Sequence, residues 1–305
     1  MNTLYFDADH SDAERRKNLY AGQLYVASAS PNAKKLIEHA QQMIEEAFAP
    51  HTPSTAQDHM EVEEYAAVLT DLKPAFIHHP KSKEFVAGLL TDLGADPEKT
   101  YFDVPRMRTA TSNDYLTTGI AYAFHPHRDT WYSAPQAQLN WWLPIYPVES
   151  GNVMAFHSHH WDNPIKNSSR DYNYYEWNRT SRGDAGKHIK KDTRKQPKPE
   201  EEPQLDPQVR VVTPPGGVLT FSAAHLHSTV PNDTGSTRFS IDFRTVNLDD
   251  LESGNGAPNL DSQCTGTTLR DYLRVTDLEH VPEEIVERYD DETAREGGLV
   301  FQPSA

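Results

Sequence analysis

The sequence predicts an α+β fold, in which a jelly roll of antiparallel strands has helices packed against it. Three observations lead to this class. Apolar residues in the first hundred positions step by three and four, which is the period of an amphipathic helix. From Tyr101 the pattern changes to short alternating runs bounded by Pro, Gly, Asn and Asp, as in antiparallel sheets. A helical pattern returns over Thr267–Arg295, so we expect helices to flank the jelly roll at both ends.

The first hundred residues are expected to be mainly helical. Ser30 suits an N-cap and Pro31 the first helical position, ahead of an apolar stripe that runs to Phe48. A second helix is predicted over about Ala56–Leu72. A third is predicted from Ser82, and we expect it to stop at Gly94 because glycine is a common residue just after a helix.

The strands follow in seven runs. They are Arg106–Thr109, Ile120–Phe124, Gln138–Leu143, Val153–Phe156, Val209–Thr213, Val218–Phe221 and Arg238–Arg244. One segment, Ser158–Pro207, interrupts this spacing, and its later half is too polar and proline-rich to favour a packed element. Loops this long in compact domains are usually functional or disordered, so we interpret the segment as a lid near the site or as a plain surface excursion. After the strands, Pro282 is expected to open a helix that turns Ile285, Val286 and Tyr289 inward.

We therefore expect a single domain over residues 1–305. Residues 1–100 form a mainly helical N-terminal part, residues 101–157 and 208–246 the jelly-roll core, residues 158–207 the insertion, and residues 247–305 a C-terminal helical part.

Composition excludes several classes of protein. The net charge of −16, from 45 acidic and 29 basic residues, repels phosphate backbones and disfavours nucleic-acid binding. No export signal or membrane-length apolar run occurs, so a membrane partner is not expected. The single cysteine, Cys264, excludes an intrachain disulfide and any multi-cysteine metal site, and it fits the reducing cytoplasm. A small-molecule partner is the remaining expectation; the sequence does not define an oligomeric state.

Two residues at the end of a strand-like run have the spacing of metal ligands. His127 and Asp129 project to the same side of an extended chain, so one imidazole and one carboxylate converge. A second histidine would complete the facial triad of two His and one carboxylate that holds non-haem Fe(II). His225 and His227 both lie just after strand Val218–Phe221. We favour His227 because residues 228–232 look like a turn, which would place His227 at the rim of the jelly roll, where it can meet His127 and Asp129.

An arginine follows His227 by eleven positions. Arg238, Ser240, Asp242 and Arg244 share one face of the last predicted strand, while three apolar residues share the other. A guanidinium forked against a carboxylate, helped by a nearby hydroxyl, is the geometry that would hold the distal carboxylate of 2-oxoglutarate. For Arg238 the alternative is a structural ion pair, for example with Asp242.

With these residues in place, the chain resembles the Fe(II)/2-oxoglutarate-dependent dioxygenases, most closely the phytanoyl-CoA dioxygenase-like branch. The resemblance runs from about Tyr115 to Val246. It rests on five motifs: His127-Arg128-Asp129, the strand Gln138–Leu143, the run Gly216–Phe221, His227 followed by Pro231-Asn232, and Arg238.

The resemblance implies a cupin-like double-stranded β-helix, with Fe(II) held by His127, Asp129 and His227. It also implies that Arg238, supported by Ser240, anchors 2-oxoglutarate, and that O2 is the oxidant. The reaction would hydroxylate an unactivated C–H bond of a small molecule and release succinate and CO2. Related halogenases have a small residue in place of the carboxylate ligand, so Asp129 favours hydroxylation, although desaturation, cyclisation and epimerisation use the same triad.

Other contacts follow from the predicted strands. Tyr122 and Thr220 are candidate hydroxyl partners for 2-oxoglutarate. Seven residues are candidates to line the substrate pocket: Trp131, Tyr132, Gln138, Asn140, Trp142, Arg106 and Arg108. Plain core packing is the alternative for the aromatic residues, and solvation or ion pairing is the alternative for the two arginines.

Three alternatives remain open. The same pocket would also suit a non-catalytic, cupin-like binding protein, and two histidines with a carboxylate also suit zinc-dependent hydrolysis. The branch often has Pro-Gly-Ser-His where this chain has Phe156–Trp161, whose His157, His159 and His160 suggest a second metal site. Zinc chemistry has no need for the arginine and serine after His227, and three histidines on one turn do not easily face one ion.

Overall fold

Residues 3–116, 125–181 and 194–290 are described by the structure, a computed structural model. The N-terminal part consists of β1 (Leu4–Phe6), α1 (Asp12–Tyr20), β2 (Leu24–Ala27), α2 (Pro31–Phe48), α3 (Val62–His78) and α4 (Pro80–Asp92). Ser30 caps α2 by accepting a hydrogen bond from the Ala33 amide, as predicted. Gly94, at a φ of +78°, follows the end of α4 as expected. The strands β1 and β2 and the helix α1 lacked a clear apolar period and were not predicted.

The jelly roll and the segments after it carry the remaining elements. The core elements are β3 (Thr100–Phe102), β4 (Arg106–Ala110), β5 (Leu139–Pro144), β6 (Met154–Phe156), α5 (Tyr174–Thr180), β7 (Val209–Arg210), β8 (Val218–Ser222), β9 (His227–Thr229) and β10 (Arg238–Asn247). They are followed by α6 (Leu248–Ser253), β11 (Leu273–Arg274) and α7 (Glu283–Val286).

Two sheets form from these strands in the described residues. The larger has eight strands in the order β1-β2-β8-β5-β10-β3-β11, with β4 paired to β10 beside β3. The smaller has three, in the order β7-β6-β9. All pairs are antiparallel except β1 with β2. The architecture is the predicted jelly roll in an α+β fold.

The large sheet separates two apolar layers. Phe239, Ile241 and Phe243 of β10 face outward and pack with α2, α3 and α4. Leu219 and Phe221 of β8 face inward and pack with Phe156 and Met154 of the small sheet. Burying one face of β10 in this way turns its polar face, which begins with Arg238, into the space between the sheets.

Several boundaries differ from the sequence prediction. His227 begins the strand β9, paired to β6, where we expected a turn over residues 228–232. The C-terminal part is less helical than predicted, since between α6 and α7 the chain forms a short 3-10 turn and β11. The inward placement of Ile285, Val286 and Tyr289 around α7 is confirmed. The predicted strand Ile120–Phe124 lies outside the described residues.

Part of the insertion packs against the jelly roll. Its aromatic centre forms α5, capped by Asn173, and clusters Tyr172, Tyr174 and Tyr175. The later half has no helix or strand among its described residues, as expected, but the Pro197 carbonyl accepts hydrogen bonds from His125 and Tyr132. In the described ranges, no helix is long and apolar enough to cross a membrane.

Candidate active site

Three predicted ligands meet at one end of the space between the sheets. Backbone hydrogen bonds of 3.0 Å run in both directions between His127 and His227, so the two histidines lie side by side. Asp129 follows at the start of a 3-10 turn. The ligand atoms of the three residues lie within 4.8 Å of one another, and no other group of three such residues in the described parts of the chain meets this condition. One ion can be shared by atoms at this separation.

Each histidine is oriented by its own segment of chain. The Nδ1 atom of His127 lies 2.8 Å from the His125 carbonyl oxygen, and that of His227 lies 2.9 Å from the His225 carbonyl oxygen. A carbonyl oxygen only accepts, so both Nδ1 atoms carry the hydrogen and donate it. The Nε2 lone pairs are therefore left for a metal, which is the arrangement that supports histidine ligands in metal sites.

The two oxygens of Asp129 have different surroundings. Oδ1 faces the histidines, at 3.2 Å from Nε2 of His127 and 3.8 Å from Nε2 of His227. Oδ2 is 3.4 Å from the Gln138 amide nitrogen and 3.5 Å from Nε of Arg244. This arrangement presents one carboxylate oxygen to an ion and holds the other in place.

Two of the three side chains, those of Asp129 and His227, have pKa values that favour the protonation states a metal needs. Burial alone would raise the pKa of Asp129, but the charge of Arg244 outweighs it and helps to hold the pKa of this carboxyl well below its ordinary value. Burial, with His127 close by, lowers the pKa of His227 to about 3. A carboxylate and a neutral imidazole at neutral pH are what a cationic metal binds.

Arg238 and Ser240 lie on the inward face of β10, as predicted. Arg238 is 5% exposed, donates to the Asn152 carbonyl oxygen at 3.0 Å and lies over the Trp142 ring. Burial lowers its pKa to about 10, so the guanidinium stays charged at neutral pH. Its Nε and the Ser240 hydroxyl are buried and have no hydrogen-bond partner among the described residues. Arg238 lines the cavity, and Ser240 lies on the same face of β10 although it does not itself line the cavity. An unsatisfied guanidinium donor in the cavity fits a bound carboxylate, as 2-oxoglutarate would supply.

The two other candidate partners of 2-oxoglutarate have different outcomes. Tyr122 lies outside the described residues. Thr220 does not reach the cavity: it shares a face of β8 with Val218, which packs on the helical side, whereas Phe221 lines the cavity. The assignment of Thr220 was wrong because alternation along β8 turns it away from the site.

A cavity of about 740 Å³ surrounds the triad. Its floor is the inward face of β5 and β10, and α3 closes one side with Lys73, Ile77 and His78. The insertion supplies another side with Tyr172 and Trp177. The insertion thus lies at the site, although its action as a lid stays a prediction.

Most of the candidate substrate residues line this cavity. They are Tyr132, Gln138, Asn140, Trp142, Arg106 and Arg108. The two arginines are paired, Arg106 with Asp103 and Arg108 with Asp242 through two hydrogen bonds. Trp131 does not line the cavity, because it is fully buried against Ile165 and Leu226 and donates to Asp261. Its side chain belongs to the core.

The remaining histidines have structural roles. His225 is buried against the rings of Phe156 and Trp161, away from the triad. The suggestion of a second metal site does not hold. His157 pairs with the Leu205 carbonyl oxygen and the Ser228 hydroxyl, and the Nε2 atoms of His159 and His160 both lie 2.8 Å from the Gln204 carbonyl oxygen.

A buried ion pair near the triad was not predicted. Arg128, between the two ligands of the motif, is 1% exposed and lies 3.1 Å from Asp261. It also donates to the carbonyl oxygens of Ala224, His160 and Asn163, while Asp261 accepts from the Trp131 indole. Four separate segments meet at this pair. Nothing in the sequence links positions 133 residues apart, so only the fold reveals it.

A protein-family model matches most of this chain. The model of the phytanoyl-CoA dioxygenase family (PhyH) matches residues 22–240, a range that contains His127, Asp129, His227 and Arg238. Among curated proteins, none matches the sequence.

Several solved structures are similar to this chain. EvdO2 from Micromonospora carbonacea var. aurantiaca, complexed with 2-oxoglutarate, is 11% identical with a TM-score of 0.43, covering 78% of this chain and 91% of its own. AviO1 from Streptomyces viridochromogenes Tue57 is 12% identical with a TM-score of 0.39, and the match covers 83% of this chain and 100% of the AviO1 chain. The epimerase SnoN, in complex with Fe3+, alpha ketoglutarate and nogalamycin RO, is 14% identical with a TM-score of 0.39. That match covers 83% of this chain and 98% of the SnoN chain.

Proposed function

Since the chain belongs to the phytanoyl-CoA dioxygenase family and is an Fe(II)/2-oxoglutarate-dependent oxygenase, we propose that it hydroxylates an unactivated C–H bond of a small molecule. Its cofactors are Fe(II), 2-oxoglutarate and O2. The observation that carries the proposal is the carboxylate of Asp129, which faces both histidines and lines the cavity. A site with this third protein ligand leaves no ligand position for a halide, so hydroxylation is favoured over halogenation.

When bound, iron and 2-oxoglutarate supply the oxidising chemistry, which splits O2 between succinate, formed with loss of CO2, and the substrate. The chain's own residues hold and orient these groups. In our proposal His127, His227 and Oδ1 of Asp129 bind the iron, and Gln138 and Arg244 fix the Asp129 carboxylate. Arg238 and Ser240 hold the distal carboxylate of 2-oxoglutarate with donors that otherwise lack partners.

We propose that the insertion, residues 158–207, acts as a lid. Tyr172, just before α5, and Trp177 of α5 line the cavity, together with Arg194 and Gln196. A wall carried by an excursion between two strands can move without breaking the sheets. The reason to close is the exclusion of water from the reacting groups. We further propose that the chain forms one domain, and that it works in the cytoplasm, where a lone thiol such as Cys264 stays reduced.

The first experiment is anaerobic addition of Fe(II) and 2-oxoglutarate to the purified protein. Chelation of 2-oxoglutarate to iron gives a weak visible charge-transfer band, and its appearance would support the ligand set and the anchor together. Protein in which Asp129 is replaced by Ala is the control. A protein that binds metal without the band would instead favour a non-catalytic, cupin-like binding protein.

The reaction type is tested with isotopically labelled O2. Compounds that shift the band form the substrate screen, and each is then incubated with the complete system in labelled O2. Hydroxylation puts one labelled oxygen atom in the product and one in succinate. Labelled succinate with an unlabelled product would mean that the same triad carries out desaturation, cyclisation or epimerisation.

A further inference from the structure

The two contacts that hold the outer oxygen of Asp129 are individually long. Its Oδ2 atom lies 3.4 Å from the Gln138 amide nitrogen and 3.5 Å from Nε of Arg244. Charge-assisted hydrogen bonds are normally shorter than this, so neither partner grips the carboxylate tightly by itself. How well the carboxylate is held therefore depends on how firmly each partner is kept in place.

The main chain of Gln138 is fixed on both sides. Its N–H donates to the Pro135 carbonyl oxygen at 2.9 Å, and its own carbonyl oxygen accepts from the Ala223 amide at 3.0 Å. The residue is 2% exposed, so its side chain must find hydrogen bonds inside the protein. The freedom that remains is in the side-chain amide, which can turn its nitrogen or its oxygen toward Asp129.

Three side chains decide which way this amide faces. The ionised Asp129 carboxylate and the Oδ1 atom of Asn140, 2.9 Å from the Gln138 nitrogen, only accept hydrogen bonds. The Gln138 nitrogen therefore faces them, and the Gln138 oxygen accepts from the Tyr272 hydroxyl at 2.7 Å. Among the described residues, Tyr272 is the only donor to this oxygen. Turned over, the amide would set its oxygen against the negative charge of Asp129.

Tyr272 is itself held firmly in the C-terminal segment. It follows the 3-10 turn Thr268–Asp271 and precedes β11, and its N–H donates to the Leu269 carbonyl oxygen. Its side chain is 1% exposed and belongs to an apolar cluster that includes Leu269 and Ala137. Burial raises the pKa of the Tyr272 phenol, so the hydroxyl keeps its hydrogen and can donate it. This segment lies beyond residue 240, where the family match ends.

We propose that Tyr272 is a positioning residue for the metal site: its hydroxyl holds the Gln138 amide in the orientation that keeps Asp129 in place. This role rests on the proposed function, in which Asp129 binds the iron. The C-terminal segment then contributes to metal affinity although it supplies none of the three ligands. Removal of the hydroxyl frees the amide, and the carboxylate loses part of the support that presents it to the ion.

The test is a double-mutant cycle on iron affinity. Fe(II) is titrated anaerobically by calorimetry, without 2-oxoglutarate, into metal-free native protein, Tyr272→Phe, Gln138→Met and the double variant. Loss of a residue that hydrogen-bonds to a metal ligand lowers metal affinity about 10- to 100-fold, which is the range expected for Gln138→Met. Tyr272→Phe acts one contact further away and should lower it at least about fivefold. When Gln138 is already Met, the added Tyr272→Phe should change it less than about twofold, because the path is broken.

Tyr289→Phe is the matched control. Tyr289 packs against the same apolar cluster, and its hydroxyl donates to the Leu251 carbonyl oxygen rather than to a side chain of the site. This variant loses a tyrosine hydrogen bond of the same kind, so it should keep the native iron affinity. Urea unfolding of each variant measures any loss of stability separately.

A second measurement separates positioning from a general loosening of the core. At saturating iron, the 2-oxoglutarate concentration that half-develops the charge-transfer band should be the same in Tyr272→Phe and native protein. The proposed anchor, Arg238, takes no part in the hydrogen bonds of Tyr272 and Gln138. A loosened core would instead weaken iron and 2-oxoglutarate binding together, and that result would count against positioning.

The cycle has clear contrary outcomes. Native iron affinity in Tyr272→Phe or in Gln138→Met would overturn the proposal, and so would an equal loss from Tyr272→Phe with and without Gln138. If Tyr272→Phe alone failed to fold, Gln138→Met should rescue it, because the buried acceptor left without a donor would be gone. Absence of that rescue would equally overturn the proposal.

Failure of the proposed function has a different signature. If native protein bound no Fe(II), or if Asp129→Ala bound it as tightly as native protein, the proposed ligand set would be wrong. If Asp129→Ala lost iron while Tyr272→Phe kept it, only the role of Tyr272 would fall.

Discussion

Asp129 differs from the two histidines in how its position is fixed. Its Oδ2 atom depends on Gln138, just before β5, and on Arg244 of β10, and Gln138 in turn accepts a hydrogen bond from the Tyr272 hydroxyl at 2.7 Å. Burial raises the pKa of Tyr272 well above its ordinary value, so this hydroxyl remains a donor. The carboxylate is therefore placed by residues far apart in the sequence.

Replacing Asp129 with Ala should abolish hydroxylation and weaken iron binding by more than about a hundredfold. Loss of a residue that only hydrogen-bonds to a metal ligand already lowers metal affinity roughly 10- to 100-fold, and loss of a ligand should cost more. Metal titration with the band as readout measures this. Asp249→Ala, which removes an exposed carboxylate paired with Lys99, is the control. Full turnover by the Asp129 variant would remove it from the ligand set.

Replacing Arg238 with Ala should raise the required 2-oxoglutarate concentration about 10- to 100-fold and leave iron affinity unchanged, because a charge-assisted hydrogen bond contributes about 1.5–3 kcal/mol. Ser240→Ala should have a smaller effect in the same direction. The exposed Arg210→Ala serves as the matched control. An unchanged requirement would transfer the anchor to another arginine, with Arg244 the first to examine.

At the scale of elements, the pair of Arg128 and Asp261 ties three other segments to the loop that carries His127 and Asp129. Asp261→Asn removes the counter-charge of a buried guanidinium, so it should lower the free energy of unfolding by about 3–5 kcal/mol. Urea unfolding measures this, with Asp277→Asn in an exposed pair as the control. Equal stability of the two variants would contradict the role of the buried pair.

The insertion gives a prediction at the same scale. If residues 158–207 close over the site, their sensitivity to proteases should fall when a compound that shifts the charge-transfer band is added. Limited proteolysis followed by mass mapping of the cuts measures this, and cleavage elsewhere in the chain provides the internal control. Unchanged cleavage would favour a surface excursion.

The spacing of apolar residues predicted those strands and helices that bury one face and expose or hydrate the other. The strands β4, β5, β8 and β10 and the helix α2 have clear periods, and the structure contains them close to the expected bounds. β1, β2, β3 and β11 were missed because strands of two to four residues carry too few alternations to stand out. Their pairing partners, rather than their own sequences, define them.

At the scale of the whole molecule, two buried histidines make the stability of the folded protein depend on pH in the acid range. In the folded, metal-free protein, burial lowers the pKa of His225 to about 4 and that of His227 to about 3. In the unfolded chain both have the ordinary value of 6.5, so below that pH the unfolded state binds more protons and the folded state loses stability.

The free energy of unfolding should therefore be level above about pH 6.5 and fall by about 1.4 kcal/mol per pH unit for each of these groups between there and about pH 4. Urea unfolding of the metal-free protein at several pH values measures the slope. His225→Gln should reduce it, whereas His59→Gln, at an exposed position, should not. A flat profile down to about pH 4.5 would rule out this account.

Of the candidate site, the proximity of His127, Asp129 and His227 and the inward position of Arg238 could be predicted because spacing along a chain fixes which side chains share a face. The partners of Asp129 and Arg128 were not, since Tyr272 and Asp261 approach through the path of the C-terminal segment. Trp131 was misplaced for a related reason: an aromatic residue next to a ligand packs wherever the core has room. Lys73 was missed because α3 reaches the cavity only through its packing beside β4.

Each ligand histidine donates its Nδ1 hydrogen to a carbonyl two residues earlier in its own segment. The orientation of the imidazoles is thus encoded within three consecutive residues, 125–127 and 225–227, and depends little on what lines the rest of the cavity. Mutations can accumulate on α3 and on the insertion, including its helix α5, while the histidines stay in place. Natural selection, or a library of laboratory variants, can therefore change which substrate the cavity accepts without changing the positions of the two histidines.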